Sequence, residues 1–582
     1  MTMTSVPGAG GAGTPGTAAT SFNLSELFES VADTVPGRDA VVMGDRRLTY
    51  AQLDDRANRL AHHLAAQGVG EGSTVGLQLA NDPAYLEGML AAFKLRALPV
   101  NINHRYVADE LAHLYRDAGL HTLVVHQRFA ATAAEVAAAA GLRHAVVVAD
   151  DVPGGDTPGG RSADLGLPGG QVDIEAALGS ASPGRDFTGR SGDDRYIVYT
   201  GGTTGPPKGV LWRHEDIFFA ALGGGDPFQF GDWITEPGQL AGRVLESPTV
   251  SLPTPPLMHA SAHWLALHQL FAGGRVVLTP YGRFDPAEVL DTIAREGVTT
   301  LVVVGDAMVQ PLVVELEAHP GRYDLSNLLA VGSGGARLSP HLTARLTAIA
   351  PHIFVVDAFG SSETGTLGSS SSVAASADTT TDAGTATERA GTRFTVGPQT
   401  AVLGDDLRPV APGSGELGRL ARTGHVPLGY HNDPVKTAAT IVEVDGARWV
   451  LPGDLATVDA DGTVVLLGRG SSCINTGGEK VFPEEVEVAC TAHPGVADVV
   501  VVGVPDDRWG ERVVALVAPT VGDGPAHEVI DLTMLQAHCR HHLAGYKVPR
   551  ELVLVDGIRR TAAGKPDQRW ARATALEATC TA

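Results

Sequence analysis

Residues 199–210 read YTGGTTGPPKGV. The apolar run before them, RYIVY at 195–199, has the composition of a buried strand. The segment after it is built almost wholly from Thr, Gly, Pro and Lys. Such a loop exposes backbone N–H groups and hydroxyls with few side chains in the way, so polyphosphate oxygens can approach closely. Thr200, Gly201, Gly202, Thr203, Thr204 and Gly205 are the candidate phosphate contacts, and Lys208 supplies a neutralising charge. A plain flexible turn has no reason to combine glycines, hydroxyls and a lysine directly after a strand. Nor is this the GxxxxGK[ST] loop of the P-loop NTPases: Gly209 follows Lys208, so no hydroxyl stands ready for magnesium.

Composition bounds the rest. A chain of 582 residues is too long for one core, so two or more domains are expected. The formal charge of −23 argues against nucleic acid as a partner, since phosphate backbones need clustered Lys and Arg. Anionic ligands must then be held by local basic groups and metal. Cys473, Cys490, Cys539 and Cys580 are widely spaced with no CxxC pair, which supports neither a zinc site nor a disulfide framework and suits a reducing cytoplasm. No uninterrupted apolar run approaches the ~18 residues of a membrane helix.

Residues 1–22, rich in Gly, Ala and Thr, read as a disordered tail. From there strands and helices alternate: RDAVVMGDRRLTYAQLDDRANRLAHHLAAQG predicts strand, turn, strand and a helix capped by Thr49 and stopped by Gly68. VGLQLAND, HTLVVH (121–126) and HAVVVAD (144–150) are further strands. The alternation predicts an α/β fold with parallel sheets. Residues 151–192 are expected to be a surface excursion, and the low-complexity run 369–391 a disordered loop. TTLVVVGD and LLAVGSGGA predict buried strands ending in turns that converge on one cleft. From about Ser471 a compact β/α pattern restarts, which predicts a small separate domain.

The loop at 199–210 closely resembles the signature loop of the adenylate-forming superfamily, which comprises acyl-CoA synthetases, adenylation domains and luciferases. Further motifs carry the resemblance from residue 25 to 570. DAFGSSETG (357–365) resembles the aromatic-Gly-x-Thr-Glu motif. It offers Asp357, Phe359 and Gly360 for the nucleotide, Ser362 in place of Thr, and Glu363 as the implied magnesium ligand and catalytic carboxylate. GSGGA (332–336) resembles the adenine-binding turn, with Gly334, Gly335 and Ala336. Asp454 in LPGDLATVD and Arg469 in LLGRG match the pair that holds the ribose hydroxyls; a carboxylate suits vicinal hydroxyls because it offers two acceptors. GGEK (477–480) resembles the segment lining the thiol tunnel, so Gly477, Gly478 and Lys480 are implied for coenzyme A. RRTAAGKPD (559–567) resembles the last motif and makes Lys565 the catalytic lysine. His259 in PPLMHASAHW matches the position beside the acyl carboxylate, where a packed core histidine is the plain alternative. The chain departs from the pattern after Arg469, where Ser471 and Ser472 replace the usual Lys-Asp hinge.

The resemblance implies a large multi-sheet AMP-binding domain (23–470) and a small mobile α+β domain (471–582). It implies Mg²⁺-dependent use of ATP, with coenzyme A as co-substrate. Several strings, among them WRHEDIFFAALGGG and GRGSSCINTGGEKVFPEEVE, look like actinobacterial fatty-acyl-CoA synthetases that activate steroid side chains and other bulky acids. The expected activity is therefore ligation of a medium-chain, long-chain or bulky carboxylic acid to CoA through an acyl-adenylate. An adenylating enzyme that loads a carrier protein is the alternative. The expected partners are small molecules, with a homodimer as a candidate assembly.

Overall fold

The computed structural model describes residues 18–150, 165–200, 207–228, 231–280, 284–334, 338–371, 392–469, 474–476, 479–506, 510–520, 530–543, 545–561 and 564–580. Short runs rich in Val, Ile and Leu form strands because branched side chains pack well on a pleated surface. Two parallel sheets result. One has the order Leu98–Asn101, Thr74–Gln78, Thr122–His126, His144–Val148, Gln171–Asp173. In the other, Asp39–Met43, Arg275–Leu278, Val250–Pro253, Thr300–Val303, Ala330–Gly334 and Phe354–Ser361 pair in parallel in that order. The second sheet then turns antiparallel at Gly365–Ser371 and Thr392–Val396 and runs on into Val464–Arg469 and Asp454–Val458.

Helices Leu24–Thr34, Tyr50–Ala66, Pro83–Lys94 and Ala260–Phe271 fill the space between the sheets in one apolar cluster. Thr49 caps Tyr50–Ala66 in a reciprocal capping box with Gln52, and Gly68 follows its end with φ +85°. Every residue of Pro83–Lys94 is buried, so its charged groups need partners. Glu87 takes Arg56 at 2.7 Å, and Lys94 Nζ lies 2.5 Å from Glu29 and 2.8 Å from Asp54. Arg190 and Arg185 close the network on Glu29 and Asp54 at 2.8 and 2.7 Å.

The C-terminal part has its own sheet, in which Val496–Asp506 pairs with Gly510–Pro519 and Glu551–Leu554 adds in parallel. Pro483–Thr491 and Leu532–Cys539 bury one face and Gln568–Cys580 the other. Cys490 and Cys539 are buried free thiols with their sulfurs 3.7 Å apart.

Three expectations need correction. Residues 18–22, assigned to the tail, pack: Ala19 is buried and the Phe22 ring lies 5.2 Å from that of Phe219. The stretch 151–192 is not all excursion, since Gln171–Asp173 extends the first sheet and Ile174–Gly179 is a helix capped by Asp173. The insert at 369–391 begins inside the strand Gly365–Ser371. Residues 1–17, 151–164, 372–391 and the expected hinge Ser471–Ser472 lie outside the described residues.

Candidate active site

The parallel strands of the second sheet end on one side, where His259 and the turn at 362–364 follow, whereas the hairpin around Lys208 belongs to a separate three-stranded sheet. Arg195–Thr200 and Lys208–Arg213 form an antiparallel hairpin in which Thr200 lies opposite Lys208. Gly201, Gly202, Thr203, Thr204 and Gly205 lie outside the described residues, but the hairpin fixes where their loop begins and ends. Lys208 Nζ meets Asp433 Oδ2 at 2.5 Å. The hydrogen bonds from Lys208 and from the Lys436 N–H hold the Asp433 carboxyl below the usual carboxylate range. Asp433 also caps the helix Pro434–Thr440.

A third strand, Gly429–Tyr430, pairs with this hairpin, Tyr430 lying opposite Val210. The Tyr430 hydroxyl donates to Glu363 Oε1 at 2.8 Å, which joins the phosphate-loop hairpin to the candidate magnesium ligand. The Trp212 indole N–H, from the same hairpin, donates to the Ser362 carbonyl at 3.0 Å. Within the motif at 357–365, Asp357, Phe359 and Gly360 lie in the strand Phe354–Ser361, Gly365 opens the strand Gly365–Ser371, and the turn at 362–364 joins them. A Cβ on Gly360 would stand 2.2 Å from the Gly365 carbonyl oxygen, so the tight hairpin requires glycine there. Gly334 ends its strand opposite Ala358, which sets the expected adenine turn beside this motif. Gly335 and Ala336 lie outside the described residues.

His259 precedes the helix Ala260–Phe271 and is half-buried. The neighbouring His263 is the packed histidine of this segment: it contacts Tyr196 Oη through Nε2 and the Leu257 carbonyl through Nδ1 at 2.8 Å. Burial pushes it down to about 4. His104 is likewise lowered to about 4, first by burial, with the charge of His259 among the smaller causes.

Asp454 and Arg469, fifteen positions apart, face each other across the antiparallel pair Asp454–Val458 and Val464–Arg469. Asp454 is buried. Of GGEK, Gly477 and Gly478 lie outside the described residues, and Lys480 is known by its backbone in the strand Glu479–Val481. Lys565 sits on a tight hairpin in which the Thr561 N–H donates to its carbonyl at 2.7 Å. The adjacent Gly564, at φ +77°, packs on Val304 so closely that a Cβ there would lie 2.8 Å from Val304 Cγ1. Val304 directly follows Thr300–Val303, so the Lys565 loop docks on the edge where His259, Gly334 and Glu363 lie.

Asn101 was not singled out by its sequence context. Its Nδ2 donates to the carbonyls of Tyr199 and Met258, both at 2.8 Å, and its Oδ1 accepts the Tyr199 N–H at 2.7 Å. It ties the root of the phosphate loop to the segment carrying His259. Tyr430, Trp212 and Asp433 were also missed, because nothing local marks a partner 67, 150 or 225 positions away.

Among the described residues there is no cluster of three or more His, Cys, Asp or Glu side chains able to hold a metal alone. One carboxylate, Glu363, in the turn at 362–364 and held by the Tyr430 hydroxyl, fits magnesium, which takes one or two protein carboxylates and draws its other ligands from phosphate and water. Among the same residues no helix is long and apolar enough to cross a membrane.

Residues 28–431 match the AMP-binding enzyme family and residues 485–565 the AMP-binding enzyme C-terminal domain. The chain is 44% identical to a 3-oxocholest-4-en-26-oate–CoA ligase of Rhodococcus rhodochrous, over 95% of each chain. It is 44% identical to a medium/long-chain-fatty-acid–CoA/3-oxocholest-4-en-26-oate–CoA ligase of Mycolicibacterium smegmatis, over 95% of this chain and 96% of the relative. Among solved structures, an anthranilate CoA ligase in complex with anthranoyl-AMP matches in fold with a TM-score of 0.77 at 22% identity, covering 96% of this chain and 98% of that one.

Proposed function

Because the chain belongs to the AMP-binding enzyme family, we propose that it is an AMP-forming acyl-CoA ligase for medium-chain, long-chain or steroid side-chain carboxylic acids. The observation that carries this reading is the near full-length similarity to two ligases named for such acids. Both relatives are named as CoA ligases, which favours free CoA over a carrier protein as acceptor.

In the first step a carboxylate oxygen attacks the α-phosphorus of ATP, the bond to the β,γ-diphosphate breaks, and an acyl-adenylate forms. In the second the CoA thiolate attacks the acyl carbon and AMP leaves. Thr200 and Lys208, with the loop between them, would hold the phosphates, and Asp454 with Arg469 the ribose. Lys565 would meet charge developing on the α-phosphate and carboxylate oxygens, a contribution commonly worth about 10²–10³ in rate. Glu363 would hold Mg²⁺, whose role is to neutralise and orient the phosphates. His259 would border the acyl carboxylate. Residues 23–470 and 471–582 would be the two domains, the smaller turning about Ser471–Ser472 to exchange Lys565 for GGEK between steps. Its use of ATP and CoA suits the cytoplasm.

The test is CoA-dependent AMP formation with acetate, octanoate, palmitate, benzoate and 3-oxocholest-4-en-26-oate, run beside Lys565→Ala. AMP and thioester formed from octanoate and larger acids, and lost in the variant, are expected. Pyrophosphate release without thioester would move the protein to carrier loading, and no reaction with any acid would overturn the proposal.

A further inference from the structure

The hairpin that carries Lys565 is braced by the side chain of one of its own residues, Arg560. Arg560 pairs with Pro566 in an isolated antiparallel bridge, and the Gly564 N–H closes the turn onto the Thr561 carbonyl at 2.9 Å. Across this turn the Arg560 guanidinium donates to the Gly564 carbonyl at 3.2 Å and to Asp498 Oδ2 at 2.6 Å. Gly564 is the residue that docks on Val304. Arg560 therefore grips the hairpin at its contact with the large domain and anchors it to the strand Val496–Asp506.

Asp498, a half-buried residue of the strand Val496–Asp506, is the partner in that grip: burial pushes its carboxyl up, and the Arg560 charge and hydrogen bond oppose this.

We propose that Arg560 is a positioning residue for Lys565 that serves acyl-adenylate formation and not thioester formation. It holds the Gly564 carbonyl where Gly564 packs on Val304 and pairs with the carboxylate of Asp498. The inference rests on the ligase reading and extends it to a residue that need not touch substrate.

The experiment measures the two half-reactions separately. Pyrophosphate release from dodecanoate and ATP reports the first; dodecanoyl-CoA formed from synthetic dodecanoyl-adenylate and CoA reports the second. Arg560→Gln is expected to slow the first ten-fold or more while the second stays within two-fold of wild type. The unchanged second step also serves as the control for folding. Adding Asp498→Asn to Arg560→Gln is expected to recover at least three-fold of the first step, because it removes the half-buried carboxylate charge that Arg560 offsets; a purely structural defect would not be rescued. Arg560→Lys, which keeps the charge, is expected to fall between wild type and Arg560→Gln. Equal losses in both steps of Arg560→Lys, a first step unchanged in Arg560→Gln, or a double variant no better than the single would each overturn the inference while leaving the ligase reading intact. A wild-type protein that makes no adenylate from dodecanoate or 3-oxocholest-4-en-26-oate would overturn both.

Discussion

Replacing Asn101 with Leu removes three hydrogen bonds of 2.7–2.8 Å while nearly keeping the side-chain volume. The site is 8% exposed, so water cannot readily reach the groups left behind. These are the N–H and carbonyl of Tyr199 and the carbonyl of Met258. A stranded buried polar group costs about 1–3 kcal/mol, so even the low end for three gives a loss of about 3 kcal/mol. The added apolar surface returns about 1 kcal/mol at most. A net loss of about 2 kcal/mol or more is expected in urea unfolding followed by tryptophan fluorescence. Activity should suffer beyond stability, because the same amide sets the root of the phosphate loop against the His259 segment. KM for both ATP and acid should rise under conditions where the variant is fully folded. Asn101→Asp should be worse than Leu, since it turns both donors into a carboxylate facing two carbonyls. A loss below 1 kcal/mol with both KM values within two-fold of wild type would refute the reasoning.

Lys94→Met should cost about 3 kcal/mol or more in the same unfolding assay, because it leaves Glu29 and Asp54 buried with only Arg190 and Arg185 to compensate; an unchanged urea midpoint would count against a structural role. Burial holds His104, His144, His214 and His263 down to about 4. Their folded values lie below the unfolded ~6.5, so the stability they contribute is full above that value and is lost as pH falls towards 4. Between pH 7.5 and 5.5 each should cost about 1 kcal/mol, partly offset by the buried carboxyl of Glu87 and the half-buried one of Asp498, both pushed up by desolvation. Equal urea midpoints at the two pH values would contradict this. On the ligase reading, Asp433→Asn should lower KM for ATP, because Lys208 loses a competing carboxylate while the cap on Lys436 survives. A raised KM would show instead that Asp433 orients Lys208.

What was legible in the sequence was chemistry confined to one segment. The Gly-Thr-Lys loop declares itself because its residue types have no other reason to cluster after a strand. Asp454 and Arg469 could be matched as a pair, and the antiparallel register then sets them opposite each other. The joints between segments were not legible. Asn101 lies 98 positions from Tyr199 and 157 from Met258, and its own neighbourhood, VNINHRY, reads as a strand end with nothing to signal a bridge. Tyr430 reaches Glu363 across 67 positions in the same silent way. The strand within DAFGSSETG carries no signal for a different reason. Gly and Asp disfavour strands, and only pairing on both sides, with Ala330–Gly334 and Gly365–Ser371, holds it extended. Gln171–Asp173 is a three-residue edge strand beside glycines, too short for a period to show.

The charge distribution connects these parts. A chain of net charge −23 repels ATP and CoA at long range, so cations must act where the ligand sits. Of the two lysines proposed for phosphate, Lys208 is already paired with Asp433 and Lys565 arrives on a hairpin from the C-terminal unit. On the ligase reading, the site gains its full positive charge only with both nucleotide and hairpin in place. The energy of meeting α-phosphate charge is then available to the adenylate-forming arrangement and withdrawn from the one that must release AMP. A lysine fixed on the large domain would bind AMP as well after the reaction as it bound ATP before it. On the proposed rotation, carrying that charge on the C-terminal unit, held in register by Arg560 and Asp498, would let one cleft favour formation of the adenylate and then let go of its nucleotide.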